Sequence, residues 1–193
     1  MNDREANALL RAAIPSADGE AWADLGAGGG VFTRALASLV GARGQVVAVD
    51  ADERALAGLM RWAKTVEGGP EVVIISADIA RPFPLPPVDG VVMANLLHFM
   101  RDPAEVLGRI AGRLRPGGRL VLIEYEGRRP SRWVPYPISA ARFAELARDA
   151  GLHDPHVVAT RPSAYGGTLY VATATQWQVS RGGAEEAENS PPG

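Results

Sequence analysis

The stretch that decides the fold of this chain is Trp22-Ala23-Asp24-Leu25-Gly26-Ala27-Gly28-Gly29-Gly30. Its hydrophobic first part, residues 22–25, runs into glycines at alternate positions, and residues 31–40 then have the composition of a helix. This order predicts a strand, a tight turn and a helix N-terminus. Because glycine adopts positive φ at low cost and has no Cβ, a ligand can lie directly against the backbone of such a turn.

A second hydrophobic run, residues 46–49, ends in the carboxylate of Asp50. A carboxylate at the end of this strand can accept hydrogen bonds from both hydroxyls of a ribose. The two features together predict that the chain holds a nucleoside-containing cofactor. The dinucleotide fingerprint G-x-G-x-x-G needs a glycine where this chain has Val31, so an NAD-dependent oxidoreductase is the less favoured interpretation.

Strand and helix patterns alternate along the rest of the chain. Helices are predicted at 1–13, 31–40, from the cap Asp52 onward, at 104–114 and at 139–150, and strands at 22–25, 46–49, 71–78, 88–94, 120–125, 157–160 and 168–173. The alternation predicts an α/β fold. We expect a doubly wound, mostly parallel seven-stranded sheet with helices on both faces and a C-terminal antiparallel hairpin.

Length and composition limit the class of protein. One domain is predicted over residues 1–179, with a short N-terminal helix in residues 1–20, and residues 180–193 are predicted to be a disordered tail. The absence of cysteine excludes structural disulfides and thiolate catalysis, and no metal site is predicted. A net charge of −2, no membrane-length apolar run and no secretory signal in residues 1–13 predict a cytoplasmic protein without nucleic-acid or membrane partners.

Four polar side chains fall at the predicted C-terminal ends of strands: Asp24, Asp50, Asp78 and Asn95. The carboxyl ends of parallel strands meet at one edge of the sheet, and ligands bind there in doubly wound folds. We therefore expect these four side chains to lie around one site. The alternatives remain open: Asp50 and Asp78 can cap helices or turns, and Asp24 can bond its own glycine turn.

Five motifs in this order resemble the class I S-adenosylmethionine-dependent methyltransferases, in their small-molecule and ubiquinone-biosynthesis-like branch. The motifs cover residues 24–30, 48–50, 76–79, 88–98 and 114–120, within a resemblance that spans roughly residues 21–174. The resemblance implies S-adenosyl-L-methionine as cofactor and the following binding residues: Asp24, Gly26, Ala27, Gly28, Gly30, Asp50, Ala51, Ala77, Asp78, Ile79, Asn95 and Leu96. Among these, it implies that Asp24 places the amino group, Asp50 holds the ribose hydroxyls and Asp78 accepts from the adenine amine.

The implied reaction is direct displacement at a sulfonium methyl, which requires alignment of the reactants and exclusion of water. Good alignment alone can lower a barrier by about 7–11 kcal/mol. A general base is needed only if the acceptor must lose a proton. His98, just past the fourth strand, is the first candidate base, and Glu124 and Tyr125 at the end of the fifth strand are further catalytic candidates. Each can instead have a packing role.

The segment most suited to face the acceptor is residues 128–137, which combine arginine with Trp133 and Tyr136. It could clamp an anionic or aromatic acceptor, or cover the sheet edge as a proline-stiffened loop. Because few residues precede the first strand, a homodimer that completes the acceptor pocket is expected. The predicted function is methyl transfer to a small molecule at an undetermined O, N or C atom. The alternatives are a non-catalytic cofactor-binding or assembly protein and, less favoured, the NAD-dependent oxidoreductase.

Overall fold

The computed structural model describes residues 1–163 and 166–177, so the tail predicted at 180–193 lies outside the described residues. The strands are β1 (Ala21–Leu25), β2 (Gln45–Asp50), β3 (Glu71–Ser76), β4 (Val88–Ala94), β5 (Leu114–Glu126), β6 (His153–Pro162) and β7 (Thr168–Thr175). The helices are α1 (Asp3–Ala13), α2 (Val31–Val40), α3 (Glu53–Ala63), α4 (Pro103–Ala111) and α5 (Ala140–Asp149), with a 3₁₀ turn over Leu97–Phe99.

The seven strands form one sheet in the order β3-β2-β1-β4-β5-β7-β6. Strands β1 to β5 pair in parallel, and β7 runs antiparallel to both β5 and β6. The predicted fold class is therefore confirmed. The chain leaves β1 toward β2 and β3 on one side and places β4 and β5 on the other, so the strand order reverses between β1 and β4. A crevice outside the strand ends at such a reversal is where ligands bind in this architecture.

Helices cover both faces of the sheet. In β1, Ala23 and Leu25 pack in the larger core cluster with α4 and α5, whereas Trp22 packs in the cluster with α1 and α2. Helix α3 packs through Leu56 and Leu59 against Ala27 and against Ala48 of β2. Because both faces of the central strands are buried, their sequences read as continuous hydrophobic runs, which is typical of a parallel sheet.

Several predicted boundaries were wrong. The helix predicted at 104–114 ends at Ala111, because Leu114 pairs with Val88 and begins β5 well before the predicted start at residue 120. The strand predicted at 71–78 ends at Ser76, so Asp78 follows the strand instead of closing it. Among the described residues, no helix is long and apolar enough to cross a bilayer.

The C-terminal hairpin is longer than predicted. Strand β6 starts at His153, so this residue and His156 lie in a strand that was predicted to begin only at residue 157. Both remain exposed, because β6 is the last strand of the sheet and pairs on one side only. The sequence 153–156 gave no alternating pattern, since neither face of this part of the strand is buried.

Candidate active site

The glycine loop between β1 and α2 is held by short backbone bonds. The N–H groups of Gly26 and Ala27 both donate to the carbonyl of Val49, at 2.8 and 3.0 Å. Gly26, Gly28 and Gly30 have φ of 78°, 50° and 82°, in the left-handed region that glycine adopts readily. A Cβ added to Gly28 would meet no described atom within 4 Å. The loop therefore presents bare backbone to open space, which fits a bound ligand.

Two other glycines of the loop are required by packing. A Cβ on Gly30 would lie 2.4 Å from Leu59 Cδ1, and one on Gly26 would lie 3.0 Å from Leu96 Cδ1. Leu96 follows β4 and packs against the turn that follows β1, so it closes the sheet edge at the reversal of strand order. Gly30 precedes α2 without a side-chain cap, which leaves the N–H groups of the first turn facing the loop.

Asp24 is buried at the end of β1, where its carboxylate accepts a hydrogen bond from Thr33 Oγ1 at 2.6 Å. Burial raises the pKa of Asp24 to about 6, the hydrogen bond from Thr33 lowers it in part, and the negative charge of Asp50 raises it further. This hydrogen bond thus joins the carboxylate to α2 and not to its own glycine turn. Thr33 was missed in the sequence analysis, although a lone polar residue on the buried face of α2 was a usable signal.

Asp50 ties the glycine loop to the end of β2. Its carboxylate accepts from the N–H of Gly28 at 2.7 Å and from the N–H of Asp52 at 2.8 Å. The other acidic candidate, Asp78, accepts from the N–H of Ala80 at 3.0 Å. Asp50 and Asp78 therefore both stabilise turns, which is the alternative role that the sequence left open for them. These contacts do not use up either carboxylate, since an ionised carboxylate offers about four acceptor positions.

The apolar residues among the predicted cofactor-binding residues differ in how far their side chains are exposed. The side chains of Ala27 and Ile79 are buried in the core, so only their backbone can reach a ligand. Ala51 is exposed and Ala77 is half-buried. The N–H of Ala77 donates to the carbonyl of Asp50 at 3.0 Å, which brings the segment with Asp78 next to the end of β2.

Asn95 is the most unusual backbone position of the site. It has φ of 52°, and its N–H donates to the carbonyl of Ile123 at 2.8 Å, so the residue is fixed between the ends of β4 and β5. Its Oδ1 is buried and has no hydrogen-bond partner among residues 1–163 and 166–177. A buried polar atom without a partner is costly, and such atoms and strained backbones concentrate where a ligand completes the structure. Asn95 therefore fits a ligand that donates a hydrogen bond.

His98 and Glu124 form a buried pair beside Asn95. His98 Nδ1 lies 2.6 Å from Glu124 Oε2, and the backbone N–H of His98 donates to Glu124 Oε1 at 3.2 Å. The side chains are 3% and 1% exposed. With an ionised Glu124, the proton of the neutral imidazole lies on Nδ1, and Nε2 keeps a lone pair.

A cavity of about 810 Å³ opens in front of this pair. Its walls come from the ends of β4 and β5 and from the segment after β5, and consist of Asn95, His98, Phe99, Tyr125, Arg128, Arg129, Pro130, Ser131, Trp133 and Val134. The N–H of Tyr136 donates to the carbonyl of His98 at 2.9 Å, which fixes the segment against the 3₁₀ turn. A cavity of this volume suits a small organic molecule.

The structure brings the three predicted catalytic residues together. His98 and Glu124 are in contact, and the rings of His98 and Tyr125 lie 6.1 Å apart between centroids. The cavity includes the predicted Trp133 but not Tyr136, which is tied to it through its backbone. Ser131 and Val134 lie within the predicted segment 128–137 but were not named individually, because the turn in which their backbones bond to each other gives no pattern in the sequence.

A family model described as "Methyltransferase domain" matches residues 23–122. Acetylserotonin O-methyltransferase of Mus musculus is 39% identical over 105 residues, which are 52% of this chain and 27% of that protein. An uncharacterised 37.1 kDa protein in a transposon of Streptomyces fradiae is 29% identical over 179 residues, 80% of this chain and 50% of that protein. The solved 1,6-didemethyltoxoflavin-N1-methyltransferase of Burkholderia thailandensis has a TM-score of 0.68 and 27% identity, over 91% of this chain and 78% of that chain.

The matches cover different shares of this chain and of its relatives. The family model covers more than half of the chain, including the glycine loop, Asp50, Asn95 and His98. The chain spans 27% to 50% of the length of the two curated relatives. None of the matches distinguishes the ubiquinone-biosynthesis-like branch, which stays a prediction.

Proposed function

Because the chain belongs to the family of methyltransferase domains, we propose that this protein transfers a methyl group from S-adenosylmethionine to a small-molecule acceptor. The observation that carries the proposal is a juxtaposition at one sheet edge. The open backbone at Gly28, the orphaned Oδ1 of Asn95 and the His98–Glu124 pair lie at the C-terminal ends of three neighbouring strands, β1, β4 and β5. One relative is an O-methyltransferase by name, which supports an oxygen acceptor.

The residues at the strand ends fit the cofactor. We propose that the loop over Gly26–Gly30 and the carboxylate of Asp50 hold its nucleoside and amino-acid parts, and that Asn95 Oδ1 accepts a hydrogen bond from it. Asp78 is proposed to contact the base. When bound, the cofactor supplies an electrophilic methyl group on a sulfonium that is a good leaving group.

The residues on the other side of the edge act on the acceptor. His98 Nε2 accepts the proton that the acceptor loses as it is methylated, and Glu124 stabilises the imidazolium that forms. Glu124 also fixes the ring through two hydrogen bonds, one to Nδ1 and one to the backbone N–H. The segment with Trp133 and Val134 covers the site and reduces the access of water.

Two measurements in sequence test the proposal. Calorimetry with S-adenosylhomocysteine and with NAD, side by side, should give binding only for S-adenosylhomocysteine. Incubation with S-adenosylmethionine and a metabolite extract should then release S-adenosylhomocysteine together with a methylated product. Preferential binding of NAD would contradict the proposal, and cofactor binding without product from any extract would favour the non-catalytic alternative.

The proposed homodimer has a separate test. Sedimentation equilibrium should give twice the chain mass of 20.4 kDa if a second copy completes the acceptor pocket. A monomer that turns over substrate would contradict this part of the proposal and leave the reaction unaffected.

A further inference from the structure

We infer that the acceptor is an anionic aromatic hydroxy compound, whose ring fills the cavity in front of His98 and whose carboxylate pairs with Arg129. This inference rests on the proposed function and specifies its substrate class. Three observations support the inference: the charge at the cavity, the aromatic side chains that line it, and the position of the proposed base His98.

The charge at the cavity is positive. Among the described residues that line it, Arg128 and Arg129 are cations and none is a carboxylate. Glu124 lies behind His98 and is bonded to it, and Glu126 accepts from the N–H of Ala140 at 2.9 Å, at the start of α5. The wall therefore lacks a negative charge of its own that would neutralise these arginines.

The two arginines differ in how they are held. The guanidinium of Arg128 lies over the ring of Tyr125, 4.9 Å from its centroid, and donates to the carbonyl of Gly166 at 2.7 Å. Arg129 is exposed and makes no ion pair among residues 1–163 and 166–177. A planar guanidinium in this position matches a carboxylate with two parallel hydrogen bonds. Arg129 is thus the residue that recognises the anion, while Arg128 stiffens the wall.

Aromatic side chains provide the rest of the surface. Phe99 and Trp133 are large apolar residues that remain 50% and 68% exposed, and both line the cavity. Phe99 lies against the ring of His98, with centroids 4.3 Å apart, and the guanidinium of Arg132 lies 4.3 Å from the ring centroid of Trp133. Concave sites with exposed aromatic rings favour flat apolar ligands. An aromatic ring between these residues would bury surface that is otherwise in water.

The base specifies the reacting group. A histidine held by a buried carboxylate serves an acceptor that must lose a proton, as a hydroxyl does. The acceptor oxygen gives its proton to His98 Nε2 and forms a bond to the methyl carbon. The carbon–sulfur bond breaks with its electron pair remaining on sulfur, so the sulfonium becomes a neutral thioether. The charge on the new imidazolium is balanced by Glu124.

The test compares matched probes. 4-Hydroxycinnamate, its neutral carboxamide and the cation tyramine are titrated calorimetrically into the protein saturated with S-adenosylhomocysteine, and a hydroxynaphthoate and its carboxamide repeat the comparison with a larger ring. The acid should bind about tenfold more tightly than its amide, as expected for one charge-assisted pair, and tyramine should bind least. Arg129→Gln should abolish the preference for the acid, and Arg129→Lys should retain part of it.

Arg101→Gln is the matched control, because it removes the same charge from an exposed arginine that makes no ion pair among residues 1–163 and 166–177 and does not line the cavity. The control should keep the preference of the wild-type protein. The inference is overturned if neither acid is preferred over its amide, or if Arg129→Gln keeps the preference. Affinity for S-adenosylhomocysteine is measured first. If the wild-type protein does not bind S-adenosylhomocysteine, the proposed function is contradicted. If it binds S-adenosylhomocysteine but does not prefer the acids over their amides, only the acceptor class is contradicted.

Discussion

The two halves of the functional edge consist of different kinds of chemical groups. On the side of β1, β2 and β3, the site consists of backbone and short acidic side chains, such as the glycine loop, Asp50 and Asp78. On the side of β4 and β5, it consists of large side chains, among them His98, Glu124 and Trp133. The first half follows from local strand–turn–helix geometry and suits a cofactor common to many enzymes. The second half depends on contacts between distant segments and suits one particular acceptor.

The largest expected effect is a loss of cofactor affinity, caused by a change in the half on the side of β1, β2 and β3. Gly28→Val places a side chain where the glycine loop now faces open space, so affinity for S-adenosylhomocysteine should fall at least about 100-fold, beyond the loss of a single hydrogen bond. Gly68→Val is the matched control, since Gly68 also has positive φ, at 65°, and also has no atom within 4 Å of an added Cβ. The two variants should lose similar stability in thermal unfolding. Equal cofactor affinity in both would place the cofactor elsewhere.

The next effect belongs to the acceptor half alone. His98→Asn removes the base and should lower turnover by about 10²–10⁴-fold while leaving the affinity for S-adenosylhomocysteine unchanged. Steady-state kinetics and calorimetry measure the two quantities separately. Wild-type turnover would reduce His98 to a packing residue, and a parallel loss of cofactor affinity would show that the two halves are not independent.

Asp24 links the cofactor half to the stability of the fold. Because its pKa is raised to about 6 from 3.8, the folded protein holds this proton more tightly than the unfolded chain does. The resulting contribution to the free energy of unfolding is fully present below about pH 4 and is lost as pH rises through about 6, on the order of 3 kcal/mol.

Asp24→Asn should remove this dependence on pH. Urea unfolding of the wild-type protein and the variant between pH 4 and 7 gives the difference, in which the other titrating groups cancel. A difference that stays constant over this range would show that Asp24 is ionised throughout in the folded protein.

The smallest effect concerns support of the glycine loop from α1. Arg34 makes two hydrogen bonds of 2.8 Å to Asp3 and donates to the carbonyl of Gly29 at 2.9 Å. Asp3→Asn should weaken S-adenosylhomocysteine binding by about 1.4- to fivefold, because a solvent-exposed ion pair contributes about 0.2–1 kcal/mol. Asp18→Asn breaks the exposed pair with Arg43 and is the control, for which we expect no change. Identical calorimetric affinities in the two variants would rule out this support.

The two halves also differ in how much of each could be predicted from the sequence. The glycine loop and Asp50 were identified because each feature depends on neighbouring residues, and parallel pairing of β1 with β2 then brings them together. His98 and Glu124 were named separately. Their contact requires β4 to lie beside β5 with Ala94 opposite Ile123, a register that no local pattern specifies.

The remaining features could not be obtained from sequence patterns for physical reasons. Asn95 combines an orphaned Oδ1 with a left-handed backbone, which asparagine tolerates but does not require. The cavity wall depends on a backbone turn between Ser131 and Val134 and on the bond from Tyr136 to His98. Such contacts are set by how the segment packs on the sheet, which is a property of the whole fold.

The most direct test of the account is a crystal structure with S-adenosylhomocysteine bound. We expect the adenosyl group against the backbone of Gly28, the ribose hydroxyls on Asp50, a donor on Asn95 Oδ1, and the sulfur facing the cavity in front of His98. A sulfur atom turned away from that cavity, or a ligand bound outside the edge between β1 and β4, would contradict the claim that the cofactor half and the acceptor half form one active site.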